Sequence, residues 1–282
     1  MRASRSFALR VAGTWLVCAL ATALPVNGDV PPAGPSAPAP GRGPARPGEP
    51  LASEESVAQA SDARFDGPDE RAARESDLAE MTAAAARWPN SYDLLWRAAR
   101  AAWAIGDRLD EDTDSERLGE LGRQARAWVE EAVRLRPEGI EGRFYRALAV
   151  STYARGTGVF RSLLEGLGGR YESDMGFVIE KDPAWGFGAG YRALGRYWFV
   201  VPRPKRNLAR SEAQLRQALQ YAPDWMRTHL YLGDTLAAQG RPEEAGREYR
   251  FILQHEAPPA EANEAEFIRN DARRALAGLR KP

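Results

Sequence analysis

A proline recurs along this chain at a fixed distance behind a small or aliphatic residue. Ala84 precedes Pro89 by five positions, Ala132 precedes Pro137, Val178 precedes Pro183 and Ala218 precedes Pro223. A fifth copy has Ile252, with Pro258 one place late. Three residues before each of these small residues stands a bulky one: Met81, Val129, Met175, Leu215 and Tyr249. A bulky and a small residue at this spacing share one helix face, and a proline then stops the helix. The same helix ending used five times means a stack of similar units rather than one mixed core. Abundant Ala, Arg, Glu and Leu favour helix, and the lack of long Val, Ile or Thr runs argues against an extensive sheet.

The front half of each unit is also legible. Packed quartets at i, i+3, i+4, i+7 occur at Leu95/Ala98/Ala99/Ala102, Tyr145/Leu148/Ala149/Thr152, Tyr191/Leu194/Gly195/Trp198 and His229/Leu232/Gly233/Leu236. The third member is always Ala or Gly, where two helices must approach closely. This ladder resembles the tetratricopeptide repeat. Between the small residue of the first helix and that of the second the gaps are 33, 29, 23 and 19 positions. The last is a regular copy, so the first three carry 14, 10 and 4 extra residues. The expected fold is all-α: an α-α superhelix of four to five degenerate tetratricopeptide-like helix pairs, with insertions between paired helices. Insertions in solenoids collect on one edge and often build the binding surface.

The first 66 residues read differently. Arg2, Arg5 and Arg10 precede a fourteen-residue apolar run at 11–24, and Ala21-Thr22-Ala23 offers a small-residue cleavage site. That order is an export signal, and the run is short for a spanning helix, which takes ~20 residues. The expectation is a cleaved signal at 1–24 and a periplasmic protein; the alternative is an inner-membrane anchor through 11–24, the only membrane contact expected. The single cysteine, Cys18, lies in the signal, with Trp15 and Val17 where a lipid-attachment motif needs Leu and a small residue. Residues 25–50 are mostly Pro, Gly and Ala, which cannot bury a core. Residues 51–66 read as a continuation or a frayed helix, so 25–66 is assigned as a disordered tether and 67–282 as the repeat domain.

Catalytic and metal motifs are missing. The two histidines, His229 and His255, form no metal-binding spacing. His229 heads a packed quartet and reads as core; His255 sits at a helix end. Asp110, Asp112 and Asp114 mimic the start of a calcium loop, but Ser115 and Leu121 occupy the positions that need Gly and Glu. The bland reading is a solvated loop in which Asp114 or Ser115 caps the next helix. No base, nucleophile and orienting group come together, so no enzyme, cofactor or metal is expected. Charge balances at 39 basic and 39 acidic residues, which gives no footprint for nucleic acid.

One segment stands out. Residues 182–202 hold four glycines and six aromatics between two prolines. The reading is a stop at Asp182-Pro183, a loose entry through Gly186, Gly188 and Gly190, then helix from about Tyr191 to Val201. Tyr191 and Trp198 read as core, whereas Tyr197 and Phe199 are left unexplained by it. Seven basic residues and one acid, Glu212, fall between 192 and 216. Arg192 and Arg196, one turn apart, can grip a carboxylate together. The competing reading is a solvated face of ordinary ion pairs.

Three blocks, "DLLWRAAR" (93–100), "DPAWGFGAGYRALG" (182–195) and "APDWMRTHLYLGDTLAAQG" (222–240), resemble the T-component of tripartite ATP-independent periplasmic (TRAP) transporters over about residues 70–280. The resemblance implies an exported, non-catalytic helical protein with a ligand-accommodating pore, working beside a solute-binding protein and a permease. Lipid-anchored members carry an attachment motif that is missing around Cys18, which leaves the mode of anchoring open. The expected partner is a solute-binding protein or other envelope protein, with a small anionic or apolar ligand in addition. Candidate contacts are Arg192 and Arg196 with Trp96, Trp185, Phe187, Tyr197 and Phe199. The alternative function is a general protein-interaction scaffold with an open polar groove.

Overall fold

The computed structural model describes residues 52–279. The expected signal at 1–24 and the first part of the tether lie outside them. Among the described residues there are twelve α-helices and no strand. They are α1 (Glu54–Phe65), α2 (Arg71–Arg87), α3 (Tyr92–Gly106), α4 (Ser115–Leu135), α5 (Ile140–Thr157), α6 (Val159–Leu164), α7 (Leu167–Lys181), α8 (Trp185–Val200), α9 (Leu208–Tyr221), α10 (Met226–Ala238), α11 (Pro242–Gln254) and α12 (Ala265–Gly278). The pairs are α1 with α2, α3 with α4, α5 with α7, α8 with α9 and α10 with α11, and α12 follows as a closing helix.

The ladder of bulky and small residues is the inter-helix seam. Met81, Val129, Met175, Leu215 and Tyr249 are all sealed from solvent, as are Ala132, Val178, Ala218 and Ile252. The small third member of each quartet is where the paired helix intrudes. A Cβ on Gly195 would lie 2.5 Å from Leu215 Cγ, and one on Gly233 would lie 2.4 Å from the Tyr249 ring. The closest approach of backbones lies elsewhere, between α4 and α5. A Cβ on Gly122 would lie 2.3 Å from the backbone of Tyr153, and one on Gly156 would lie 2.1 Å from the Gly119 nitrogen. Burial of these seams is the main stabilising term, at ~25 cal/mol per Å² of apolar surface.

Of the expected tether, residues 52–66 need correction. They are not tether: Glu54–Phe65 is helix α1, capped by Ser53, whose side chain accepts from Ser56 N. Its inward face is made of small residues, Val57, Ala58 and Ser61, so it lacks the large apolar stripe that marks a helix in sequence. Polar contacts dock it instead. The Ser61 hydroxyl donates to Asp77 at 3.2 Å, and Arg97 and Arg100 both reach Asp62.

The insertions take three forms. The first is the loop at 107–114 with a lengthened α4. The acidic loop folds on itself, with Asp110 Oδ1 accepting from Asp112 N and Asp114 Oδ2 from Asp110 N. Asp114 stands at the N-cap of α4, but its side chain is turned back into the loop and does not cap the helix. The second is α6, which leaves Phe160 and Leu164 exposed. The third is the short loop at 201–207 between α8 and α9.

The superhelix ends by meeting its own beginning. Asn263 Nδ2 donates to the Phe65 carbonyl at 2.9 Å, across 198 residues of chain. Arg108 reaches Glu264 at 3.0 Å and lies over the Phe267 ring at 4.2 Å. Arg227 bridges Asp107 at 3.2 Å and Glu264 at 2.6 Å. Among the described residues no helix is long and apolar enough to cross a membrane.

Candidate ligand chamber

Closure of the superhelix turns its concave side into a chamber of about 660 Å³. The first helices of successive pairs supply its wall, because they line the inside of the turn. Trp103 and Asp107 come from the end of α3, Phe144, Tyr145 and Leu148 from α5, Arg192 and Arg196 from α8, and Leu230 and Asp234 from α10. Phe65 and the inner face of α12 complete the ring. The wall is aromatic and aliphatic with arginines and carboxylates set into it.

Almost all of that charge is internally matched. Arg155 pairs with Glu111 at 2.8 Å and donates to the carbonyls of Gly106 and Leu109. Arg108 and Arg227 share Asp107 and Glu264, and Arg274 pairs with Asp271. Burial alone would oppose the Glu264 carboxylate, but the two arginines outweigh it and hold its pKa below the usual range. Arg196 binds the buried Asp234 at 2.9 Å, and the other oxygen of that carboxylate accepts from Tyr249 Oη at 2.9 Å. Desolvation raises the Asp234 pKa against the pull of these two partners.

Arg192 differs. Among the described residues it has no carboxylate partner. Its Nη1 donates to the Phe187 carbonyl at 3.0 Å and its Nη2 to the Gly186 carbonyl at 3.2 Å. The guanidinium lies 5.0 Å from the Trp225 ring centre. Desolvation pulls its pKa down to about 10. The carbonyls it holds belong to a left-handed turn at Gly186, Phe187 and Gly188, with φ of 55°, 60° and 73°. Glycine adopts this freely, but Phe187 does not. The turn lets helix resume at Ala189 and turns the Phe187 ring, still 48% exposed, against Trp225 at 4.5 Å.

The predicted contacts divide accordingly. Arg192, Arg196, Trp185 and Phe187 line the chamber. Trp96, Tyr197 and Phe199 do not. Trp96 is buried one layer behind the wall, stacked on Tyr145 at 5.6 Å. Tyr197 is likewise core, stacked on Tyr171 at 4.9 Å and donating to Glu172 at 2.9 Å. Phe199 lies beneath Arg196 and Arg206 and outside the chamber lining. Tyr145 and Tyr171 also reach the chamber. The quartet pattern assigns Tyr145 to the repeat core and carries no signal for Tyr171. Nor does it find Trp225, which sits at the N-cap of α10, outside any quartet. Arg196 is committed to Asp234, so the two arginines do not form a joint grip.

The histidines are structural. His229 is buried between Glu248 at 2.6 Å and the Pro223 carbonyl at 2.7 Å, and its ring stacks on Phe251. His255 closes α11 with Nδ1 at 2.9 Å from the Phe251 carbonyl. Among the described residues no group of three or more His, Cys, Asp and Glu side chains is placed to hold a metal ion.

No protein-family model and no curated protein matches the chain. Among solved structures it is similar to TTC0263 of Thermus thermophilus, described as a thermophilic TPR protein. The TM-score is 0.60 at 17% identity, over 80% of this chain and 100% of that one. The chain has a tetratricopeptide-repeat fold. It is also similar to MamA of Desulfovibrio magneticus RS-1 from residue 41 onward, with a TM-score of 0.46 at 14% identity, over 71% of this chain and 93% of that one. In tetratricopeptide-repeat terms, the chamber is the concave face of the solenoid, walled in part by the contact of its two ends and open to solvent on the rest.

Proposed function

We propose that this is an exported, non-catalytic tetratricopeptide-repeat binding protein that serves solute uptake beside a TRAP-type transporter. The observation that carries the reading is the chamber: an open polar groove would fit a peptide-docking scaffold, whereas a walled space of about 660 Å³ fits a small molecule. The signal-like N-terminus and the resemblance at 93–100, 182–195 and 222–240 support the location and the transport setting. A protein partner has a surface available at α6, where Phe160 and Leu164 project from the fold. That same patch favours the second reading, a general protein-interaction scaffold in the cell envelope.

The two readings part in a capture experiment. The tagged protein, expressed from its own locus and purified from its native envelope, should bring down a solute-binding protein or a permease. Recovery of other envelope proteins alone selects the scaffold reading. N-terminal sequencing of the same preparation tests export, since an intact Met1 on a carbonate-resistant membrane protein overturns cleavage.

A further inference from the structure

We infer that the chamber binds an amphipathic monoanion, its headgroup on Arg192 and its apolar body against Trp185, Phe187 and Trp225. This rests on the reading of the chamber as a ligand compartment and names the chemistry of what enters it. Three independent observations lead there.

The first is charge. The other chamber arginines are each bound to a carboxylate of the fold, so they have no net attraction left to offer. Arg192 binds only two carbonyl oxygens, at 3.0 and 3.2 Å. A guanidinium has five N–H donors, so three remain. The carboxylate that acts most strongly on Arg192 from a distance is Glu261, but its oxygens are turned to the start of α10, accepting from Met226 N at 2.7 Å and Arg227 N at 2.9 Å, and make no hydrogen bond to Arg192. Arg227 nearby adds repulsion. A partly exposed guanidinium in an aromatic wall, without an anion of its own, binds an arriving anion more strongly than a fully solvated arginine does.

The second is backbone strain. Phe187 is the only non-glycine with positive φ among the described residues. Such a conformation is costly and collects where a ligand is gripped. Gly188 of the turn packs on Ala218 of α9, but Phe187 itself is spent on no core: it stands half-exposed on the chamber wall, and Arg192 holds the Gly186 and Phe187 carbonyls. Anion site and aromatic shelf are therefore one rigid unit.

The third is composition of the wall. The lining that includes Arg192 offers the apolar faces of Trp185, Phe187, Ala193, Trp225 and Leu230 beside the mutually paired Arg227 and Glu264. A small hydrophilic anion would leave these faces wet, and a neutral apolar molecule would leave Arg192 unmatched. A single anionic group on an apolar body satisfies both.

The test is calorimetric titration of the purified protein with decanoate, decanol and decyltrimethylammonium, which share an apolar chain and differ in headgroup charge. Decanoate should bind at least about tenfold more tightly than decanol, and decyltrimethylammonium should not bind measurably. Equal affinity for decanoate and decanol overturns the inference, as does failure of decanoate to bind. Arg192→Lys should keep the preference for decanoate. Arg192→Gln, with an unchanged thermal melt, should bind the neutral and anionic chains alike; a surviving preference in a folded Arg192→Gln overturns Arg192 as the anchor. Because Arg192 also holds the turn, the wild-type headgroup series and the lysine variant decide the matter even where the glutamine variant is unstable. If decanoate fails to bind while a transport partner is still captured, this inference falls and the proposed function stands. If decanoate binds and no transport partner is captured, the reverse holds.

Discussion

Arg192 and Arg196 share a helix face, are one turn apart and line the same space, yet they have opposite roles. What separates them is a carboxylate 38 residues away, Asp234, which the register of α10 brings to Arg196 and not to Arg192. Spacing in sequence therefore reveals the shared face but not the partner, because the partner depends on how one repeat seats against the next. Trp185 and Phe187 line the chamber, whereas Trp96, Tyr197 and Phe199 lie off it for a related reason. On a helix one position is a rotation of about 100°, so Tyr197 can be core while Arg196 faces the chamber. The Arg196–Asp234–Tyr249 cluster makes a prediction at this scale. Asp234→Asn leaves a partly buried guanidinium without its counter-charge. It should cost ~3 kcal/mol or somewhat less, the low end for a broken buried pair, since the Arg196 side chain keeps 23% exposure. Denaturant melts check this; an unchanged midpoint would mean that the pair is replaceable by solvent.

At the scale of helices, the ladder of bulky and small residues is enough to find the pairs α3 with α4 through α10 with α11. It works because each rung is a local volume constraint: Leu215 needs the space that a Cβ on Gly195 would take. It cannot find α1, whose buried face is small and whose docking is polar. Nor can it find the tightest contact, between α4 and α5, because Gly122 and Gly156 stand outside the quartets and join successive repeats rather than paired helices. The nature of the obstacle gives an order of sensitivity. Gly195→Ala meets the Leu215 side chain at Cγ, which can yield only by a rotamer change in a sealed seam, and should cost about 1–3 kcal/mol. Gly122→Ala and Gly156→Ala meet backbone, which cannot shift without moving a helix, and should cost ~3 kcal/mol or more. Melts that rank Gly195→Ala below the other two in stability would reverse this assignment of the closest seam.

For the whole molecule, the decisive contact joins residues that no local pattern connects. Where the last helix arrives depends on the small rotation of every repeat and on the three insertions, so closure is not legible in any one segment. Its electrostatic core is Asp107, Arg108, Arg227 and Glu264. The lowered pKa of Glu264 means that its contribution is fully present above its unfolded value, near 4.5, and is lost as pH falls through its lower folded value. Glu264→Gln should therefore melt earlier than wild type near neutrality, and the gap should narrow steadily as the buffer is taken from about pH 5 towards about pH 2. A constant gap would place the stabilising role of Glu264 in its shape rather than its charge. Closure also changes how such a chain comes apart. An open solenoid has two ends at which neighbours are missing, and it can unravel from either one repeat at a time. Here the start of α12 is tied back to the end of α1 and to the loop after α3, through Asn263, Glu264 and Phe267, so the last repeat cannot peel away without breaking contacts to the first, and the array is expected to come apart as a hoop does, at a joint rather than from a loose end.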